Sequence, residues 1–266
     1  MSDAAQSLLC CNGLSVVADG RHLLNDVNLT LQAGQFVALV GKNGAGKTTL
    51  LRAALGLAKP AAGRALLSGY DANTLPGRQR AGLVGWLPQN APVPEPVAAL
   101  DLVVAGRFRF NESFAASRVA AQDALAQAGA QEFENAAMTR LSGGEQQRVA
   151  LAALIAQESP LLLLDEPANH LDPAQQIALY RLIGDLWRQG RAILCVTHDL
   201  NLLRFARLPN AAQAPLRVVG LQSGRVSFEV DFDAPELAPS LDRLFGVRLR
   251  EVSVEGGRLL VPEDTR

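Results

Sequence analysis

One eight-residue stretch constrains this chain more than any other: Gly41-Lys42-Asn43-Gly44-Ala45-Gly46-Lys47-Thr48. An apolar β-type run, 36–40, comes before it, and a helical pattern begins at Thr49. Glycines let successive backbone N–H groups surround a phosphate, and the N-terminus of the following helix adds partial positive charge. Lys47 can then reach the β- and γ-phosphates while the Thr48 hydroxyl ligates Mg²⁺. The stretch predicts a loop that binds a nucleoside triphosphate.

A second motif places two carboxylates after a buried strand. The apolar run 161–164 is followed by Asp165-Glu166-Pro167. Ligands of open α/β sheets bind at the carboxyl ends of the strands, so both acids are expected at the nucleotide. We expect Asp165 to hold Mg²⁺, directly or through water, and Glu166 to polarise the water that attacks the γ-phosphate. The alternative is a pair of acids in a solvated turn.

A third motif, residues 141–148, reads Leu-Ser-Gly-Gly-Glu-Gln-Gln-Arg. Ser142 and Glu145 form the spacing of a capping box, which opens a helix. Capping alone does not need the adjacent Gly143 and Gly144, which form a second phosphate-accepting surface before a helix N-terminus. Because the first loop already serves one site, this surface is expected to serve a nucleotide bound to another copy.

In their order along the chain, 41–48, 141–148 and 161–167, the three motifs resemble those of an ABC-type ATPase, over about residues 8–230. The resemblance implies an α/β fold: a P-loop NTPase (RecA-like) core, with a small antiparallel β subdomain and an inserted α-helical subdomain. It implies an ATPase domain over 1–230, with a nucleotide-binding core at 1–89 and 142–230 and the helical subdomain at 90–141. Residues 231–266 would be a short C-terminal extension.

The resemblance also implies roles for single residues. Gln89 matches the glutamine that senses the γ-phosphate and Mg²⁺, and His198 matches the switch histidine at the γ-phosphate. Asp172 matches the loop at the interface of two copies, which bind two ATP molecules head to tail. The implied catalytic set consists of Glu166, Gln89 and His198. The implied metal ligands are Thr48, Gln89 and Asp165. The implied ATP contacts are Gly41, Lys42, Asn43, Gly44, Ala45, Gly46, Lys47, Thr48, Thr49, Ser142, Gly143, Gly144, Glu145 and Asp172.

Two departures from the family pattern stand out. The aromatic residue that stacks on adenine in the family falls on Ala18, so adenine would pack on apolar atoms or on a nearby ring such as His22. Segment 208–215 is an expected surface-loop insertion.

Local details narrow the resemblance to ATPases of the iron-siderophore, haem and cobalamin importers. They are the runs 169–176 and 103–108 and the tail from Leu244 to Pro262. This implies a membrane permease and, indirectly, a substrate-binding protein as partners. A zinc or manganese importer ATPase and a soluble, non-transport ABC ATPase stay open, and a small-molecule phosphotransferase is a third reading.

Composition argues against other classes. A net charge of −1 gives no electrostatic case for nucleic acid. No secretory signal or membrane-spanning run is expected, and Cys10, Cys11 and Cys195 read as reduced core thiols. The chain is thus expected at the cytoplasmic face of the inner membrane, as a peripheral subunit.

A coupling surface is expected between Gln89 and Ser142. Three prolines make the linker 90–96 stiff and extended. The segment 97–108 after it is expected to meet a cytoplasmic helix of the permease, with Arg107 and Arg109 as its exposed contacts.

The remaining patterns predict the elements of the fold. Strands are expected at 8–17, 28–31, 64–67, 83–87, 161–164 and 192–196. Helices are expected at 97–106, 117–128, 145–157, 173–189 and 235–245. Hairpins should turn at 222–224 and 255–257.

Overall fold

A computed structural model describes residues 7–89, 97–169, 171–207, 216–254 and 257–263. A six-stranded sheet lies at its centre, in the spatial order β10 (Arg225–Asp231), β9 (Leu216–Gln222), β3 (Phe36–Val40), β8 (Ala192–Val196), β7 (Leu161–Asp165) and β6 (Val84–Leu87). Neighbours are parallel except β9 and β10. Every residue of β3, β7 and β8 is buried, as the uninterrupted apolar runs predict for a parallel sheet covered on both faces.

The predicted antiparallel sheet is present, in the order β2 (Arg21–Gln32), β1 (Ser7–Ala18), β4 (Ala62–Leu67) and β5 (Tyr70–Asp71). The prediction for β2 was too short, because the strand begins at Arg21 rather than Asn28. Asp26 takes a left-handed φ of 55°, and the pairing of β1 with β2 shifts register between Leu14 and Val16. These irregularities break the alternation of apolar and polar residues by which a strand is recognised.

Seven helices lie in the described part of the chain. They are α1 (Lys47–Ala54), α2 (Gly77–Leu83), α3 (Ala99–Ala105), α4 (Phe114–Gln127), α5 (Gly143–Gln157), α6 (Pro173–Arg188) and α7 (Leu237–Phe245). The helix predicted from Ser117 in fact begins at Phe114, since the Ser113 hydroxyl caps it by accepting a hydrogen bond from the N–H of Ala116. The expected strand residue Leu83 instead ends α2.

A second hairpin, β11 (Leu249–Val254) and β12 (Gly257–Pro262), follows α7. The first predicted hairpin is β9–β10, turning at Ser223 and Gly224. The linker 90–96, the insertion 208–215 and residues 255 and 256 of the second turn lie outside the described residues, so the predictions made for them stay predictions.

The central sheet divides the hydrophobic core into two layers. Phe36, Ala38 and Val40 face the layer that α3 to α7 cover, while Val37 and Leu39 face α1 and the antiparallel sheet. Cys10, Cys11 and Cys195 are free thiols, and burial raises the pKa of Cys11 and Cys195 to about 12. Within the described ranges, no helix combines the length and hydrophobicity that a membrane crossing needs.

The prediction that Arg107 is exposed is wrong. Its guanidinium is bound to both carboxylate oxygens of Glu112, to the carbonyl oxygen of Ala156 and to Glu158, and only 7% of the residue is exposed. Arg109, which is half-buried, donates to the carbonyl oxygen of Gln157 at 2.8 Å. These arginines therefore fasten the turn after α3 to the end of α5, and burial removes Arg107 from the surface that a partner could contact.

Candidate functional site

The glycine-rich loop runs from the end of β3 to the start of α1, at the carboxyl end of the central sheet. Gly46 has a φ of 105°, and a Cβ atom there would lie 2.6 Å from the carbonyl oxygen of Leu23. A Cβ atom on Gly41 would lie 2.4 Å from the carbonyl oxygen of Leu221. Both positions therefore require glycine, because the loop passes directly against backbone. Of the remaining loop positions, Lys42, Asn43, Gly44 and Thr48 are exposed, Thr49 is half-buried and Ala45 is buried.

Lys47 connects this loop with the acidic residues of β7. Its Nζ donates to the carbonyl oxygen of Gly41 at 2.8 Å and to that of Lys42 at 3.3 Å. Burial lowers the pKa of Lys47, while the charges of Glu166 and Asp165 act in the opposite direction. The ammonium group therefore lies between the glycine-rich loop and the two carboxylates.

Asp165, the last residue of β7, is 1% exposed. Neither of its carboxylate oxygens has a well-oriented hydrogen-bond donor among the described residues. Burial raises the pKa of Asp165, although the nearby Thr48 hydroxyl and the Lys47 ammonium lower it. A buried carboxylate without a donor beside a threonine hydroxyl is an oxygen ligand set of the kind that Mg²⁺ prefers. The residues at this position therefore fit the metal that the sequence implies.

Glu166 is held by three neighbouring side chains. Its carboxylate accepts hydrogen bonds from Gln89 Nε2 at 2.8 Å and from Asn169 Nδ2, and lies 2.5 Å from His198 Nε2. Its backbone has a left-handed φ of 52°, and its N–H donates to the carbonyl oxygen of Val196 at 3.0 Å. Strained backbone of this kind is common at functional sites. The structure thus brings the three predicted catalytic residues together.

Asn169 is a contact that the sequence reasoning missed. It entered the sequence analysis only as part of the run that marks an importer class. Its position three residues after Glu166 was a signal of this contact, because that spacing allows a turn. The backbone N–H of Asn169 donates to the carbonyl oxygen of Glu166 at 3.1 Å and closes that turn. The turn directs its amide at the carboxylate.

The third motif begins α5 with the predicted capping box. The N–H of Ser142 donates to Glu145 Oε2 at 2.7 Å, and the N–H of Glu145 donates to Ser142 Oγ at 3.4 Å. The hydrogen bond from Ser142 lowers the pKa of Glu145. Ser142 and Gly143 are exposed, whereas Gly144 is buried under Gln175, whose Oε1 would lie 2.1 Å from a Cβ atom.

The same helix contacts the loop that carries Glu166. Gln147 Nε2 donates to the carbonyl oxygen of Pro167 at 2.8 Å. Among the described residues no hydrogen bond joins Ser142–Glu145 to the loop 41–48. Asp172 caps α6, accepting from the N–H of Gln175 at 2.9 Å.

The position expected to stack on adenine carries no ring. Ala18 is exposed at the end of β1 and pairs with Arg21, while the adjacent Val17 pairs with His22. Val17 and Leu23 are 40% and 38% exposed. Leu23 adjoins the glycine-rich loop through Gly46, so an apolar surface is available next to that loop.

Comparison with known proteins gives a consistent result. The family described as ABC transporter matches residues 24–169. The cobalamin import ATP-binding protein of Halobacterium salinarum is 39% identical over 193 residues, 71% of this chain, but the match spans only 48% of that protein. The hemin import ATP-binding protein of Nocardia farcinica is 38% identical over 91% of this chain and 83% of its own length. The aliphatic sulfonates import ATP-binding protein of Mycobacterium avium is 36% identical, over 82% and 79% respectively.

Two solved structures are similar across most of the chain. An inward-facing metal-chelate type ABC transporter aligns with a TM-score of 0.78 and 25% identity, covering 97% of this chain and 98% of that one. A dimeric ATP-binding cassette bound to ADP and phosphate aligns with a TM-score of 0.74 and 27% identity, covering 85% and 99%.

Proposed function

The chain belongs to the ABC transporter family of ATP-binding proteins, and from this premise we propose that it hydrolyses ATP to power import of a solute through a membrane permease. In this proposal residues 1–89 and 142–230 form the nucleotide-binding core, 90–141 the helical subdomain and 231–266 a C-terminal extension. The observation that supports this function most strongly is the contact of Gln89 and His198 with the Glu166 carboxylate.

Glu166 acts as the general base in this reaction. It takes a proton from the water that attacks the γ-phosphate, while the bond from the γ-phosphorus to the leaving oxygen breaks. Gln89 and His198 hold the carboxylate at the carboxyl ends of the strands, where a ligand of such a sheet binds. Asn169 donates to the same carboxylate oxygen as Gln89, Oε2, from the side of the following turn.

Mg²⁺ would be held by Asp165 and Thr48, with Gln89 completing the predicted set, and it would neutralise charge on the phosphate oxygens. Lys47, on leaving the carbonyl oxygens of Gly41 and Lys42, would contact the β- and γ-phosphates. The N–H groups of the loop 41–48 and of the first turn of α1 would donate to the same phosphates.

A second copy completes each ATP site. Ser142 and Gly143 are exposed at the N-terminus of α5, where backbone N–H groups can bind a phosphate. In this proposal that phosphate belongs to the ATP on the loop of the second copy. Two copies placed head to tail would let each Ser142–Glu145 segment meet the ATP on the partner's loop. The similarity to a dimeric cassette supports this arrangement.

The solute is proposed to be a metal chelate of the iron-siderophore, haem or cobalamin type. Relatives named for cobalamin and hemin import and a metal-chelate transporter support this class. A relative named for sulfonate import, at 36% identity, keeps another solute class as the competing candidate. The proposed location is the cytoplasmic face of the membrane, bound to the permease.

The permease is proposed to contact the segment 97–108. Burial of Arg107 removes it from that role. Phe108, which is 59% exposed on the same turn, takes its place in the proposed contact. A helix of the permease that covers this ring would bury apolar surface without breaking an ion pair.

Co-purification with the permease, followed by ATPase assays with solute-loaded binding protein, tests this function. Hemin, cobalamin, a ferric siderophore and an aliphatic sulfonate would be compared, and a metal chelate should stimulate phosphate release while the sulfonate should not. The Phe108→Glu variant should keep its basal ATPase activity and lose the stimulation. Stimulation by the sulfonate alone would overturn the chelate assignment but leave the ATPase assignment standing.

A further inference from the structure

The segment that carries His198 is fastened to the C-terminal hairpin by one side chain. Asn201, three residues after His198, lies against Leu260 of β12. Its Nδ2 donates to the carbonyl oxygen of Leu260 at 3.2 Å, and its Oδ1 accepts from the N–H of Leu260 at 2.8 Å. The amide therefore satisfies both backbone groups of one residue, as a neighbouring strand would.

The other side of the same segment is held by buried polar groups. Tyr180 of α6 donates its hydroxyl hydrogen to Thr197 Oγ1 at 3.0 Å, and the N–H of Asp199 also donates to Thr197 Oγ1, at 3.2 Å. Thr197 in turn donates to the carbonyl oxygen of Asp199 at 3.2 Å. Its hydroxyl thus uses its one hydrogen and both acceptor sites, which fixes the backbone on either side of His198.

His198 itself has few constraints. Its side chain is 43% exposed, against 11% for Glu166. Among the described residues, its side chain makes a polar contact only with Glu166. The position of the imidazole therefore depends on the backbone of residues 197–201. Asn201 is three residues from His198, and a stretch of that length spans about 10 Å at most.

We infer that Asn201 is a positioning residue for ATP hydrolysis, through which the C-terminal hairpin holds His198 against Glu166. The inference rests on the proposed ATPase function. It gives the hairpin β11–β12 a role at the site, although the hairpin itself contributes no residue to the phosphate-binding loop or to the catalytic carboxylates. Leu260 is 8% exposed and lies in the same hydrophobic layer as Leu200 and Leu203, so a displacement of β12 is transmitted to this segment.

Asn201→Ala is the variant that tests the inference. It removes both hydrogen bonds to Leu260 but leaves the backbone N–H of Asn201 bonded to Asp199 Oδ1. Asn28→Ala is the matched control, because Asn28 also accepts from a backbone N–H, that of Gly13, and donates to a backbone carbonyl oxygen, that of Asp26. Asn28 lies on β2, far along the chain from His198.

The measurement is kcat and KM for ATP, made on the full chain well below the thermal midpoint of each variant. Asn201→Ala should lower kcat about fivefold or more with KM changed less than about twofold, the pattern of a lost transition-state interaction. Asn28→Ala should lower the thermal midpoint and leave kcat unchanged. A merely structural Asn201 would behave as Asn28 does, and that result would overturn the inference.

A double-mutant cycle with His198→Ala separates positioning from any independent effect. If Asn201 acts through His198, adding Asn201→Ala to His198→Ala should lower kcat by less than about twofold further. An undiminished loss in that background would contradict the inference. Absence of ATPase activity in the wild-type chain would instead overturn the proposed function, and the inference with it.

Discussion

His198 Nε2 lies 2.5 Å from Glu166 Oε1, although the two residues are 32 positions apart along the chain. The contact follows from the sheet, in which β7 and β8 are parallel neighbours and Asp165 is paired with Val196. Glu166 follows the first of these paired residues by one position and His198 follows the second by two. The carboxyl ends of two parallel strands therefore bring Glu166 and His198 to one place.

Asp165→Asn should stabilise the nucleotide-free protein. A carboxyl group whose folded pKa is raised by burial costs stability once pH rises above its unfolded pKa, and the cost is fully present above the raised pKa. The neutral amide removes this cost, so at pH 7 the thermal midpoint should rise by about 2 °C or more. Differential scanning calorimetry without nucleotide and Mg²⁺ measures this.

The same variant should lose ATPase activity, because an amide is a poor Mg²⁺ ligand beside Thr48. The pH dependence gives the control: the stability gain of Asp165→Asn over wild type should vanish below pH 3.8, the ordinary pKa of the carboxyl group, where the wild-type aspartate is protonated in both states. A gain that persisted there would show that the charge of Asp165 is not its cause.

Arg107→Ala should destabilise the protein far more than Arg109→Ala. The Arg107 guanidinium binds Glu112 and Glu158 in a nearly buried position, whereas Arg109 makes two bonds to backbone carbonyl oxygens. Removal of Arg107 takes the cation from Glu112 and Glu158 and a donor from the carbonyl oxygen of Ala156, and we expect the thermal midpoint to fall by about 4 °C or more. Equal midpoints for the two variants would contradict the network seen here.

The Arg107–Glu112 pair also predicts an acid transition. Its hydrogen bond holds the pKa of Glu112 down to about 2, from an ordinary 4.5. A depressed folded pKa contributes stability that is fully present above 4.5 and is lost as pH falls towards about 2. Replacing Glu112 by Gln should therefore flatten the pH dependence of unfolding in that window, measured by urea titration. A slope equal to that of wild type would contradict the assignment.

Ala18→Tyr should tighten ATP binding. A ring at the end of β1 would offer adenine a stacking surface in place of the aliphatic Val17 and Leu23, and base–aromatic stacking contributes about 1–3 kcal/mol. A gain of about 1 kcal/mol lowers the Kd for ATP about fivefold, so isothermal titration calorimetry should show a decrease of at least about that size. Ala18→Leu, which adds apolar surface without a π face, is the control. An unchanged Kd in Ala18→Tyr would place the base elsewhere.

Local motifs made much of this structure predictable. The membership in the ABC family and the α/β fold class are confirmed. The capping box at Ser142 formed as expected, and the apolar run 192–196 is a fully buried strand. Each of these features depends on residues close in sequence, whose periodicity or hydrogen-bonding geometry is readable directly.

Two features that the sequence did not indicate depend on contacts between residues distant in sequence. Arg107 reads as a surface residue at the end of a helix, and one of its partners, Glu158, lies 51 residues further along. The hydrogen bonds between Asn201 and Leu260 span 59 residues. No local pattern records such pairings, because they form only when the helical layer and the C-terminal hairpin pack on the central sheet.

The central proposal is that Glu166 is the general base in ATP hydrolysis. Glu166→Gln keeps the shape of the side chain but cannot accept the proton from water. Phosphate release should fall by about 100-fold or more, while ATP titration shows binding retained and size-exclusion chromatography shows an ATP-bound dimer. Lys47→Ala is the contrasting variant, since it removes a charge from the phosphates and should lose ATP binding itself.

The decisive comparison is the rate of phosphate release by Glu166→Gln and wild type at saturating ATP and Mg²⁺. With Glu166 as the base, the Glu166→Gln variant should bind ATP and form a dimer but release almost no phosphate. Hydrolysis by Glu166→Gln at close to the wild-type rate would contradict it, because the carboxylate held by Gln89, Asn169 and His198 would then not be the base.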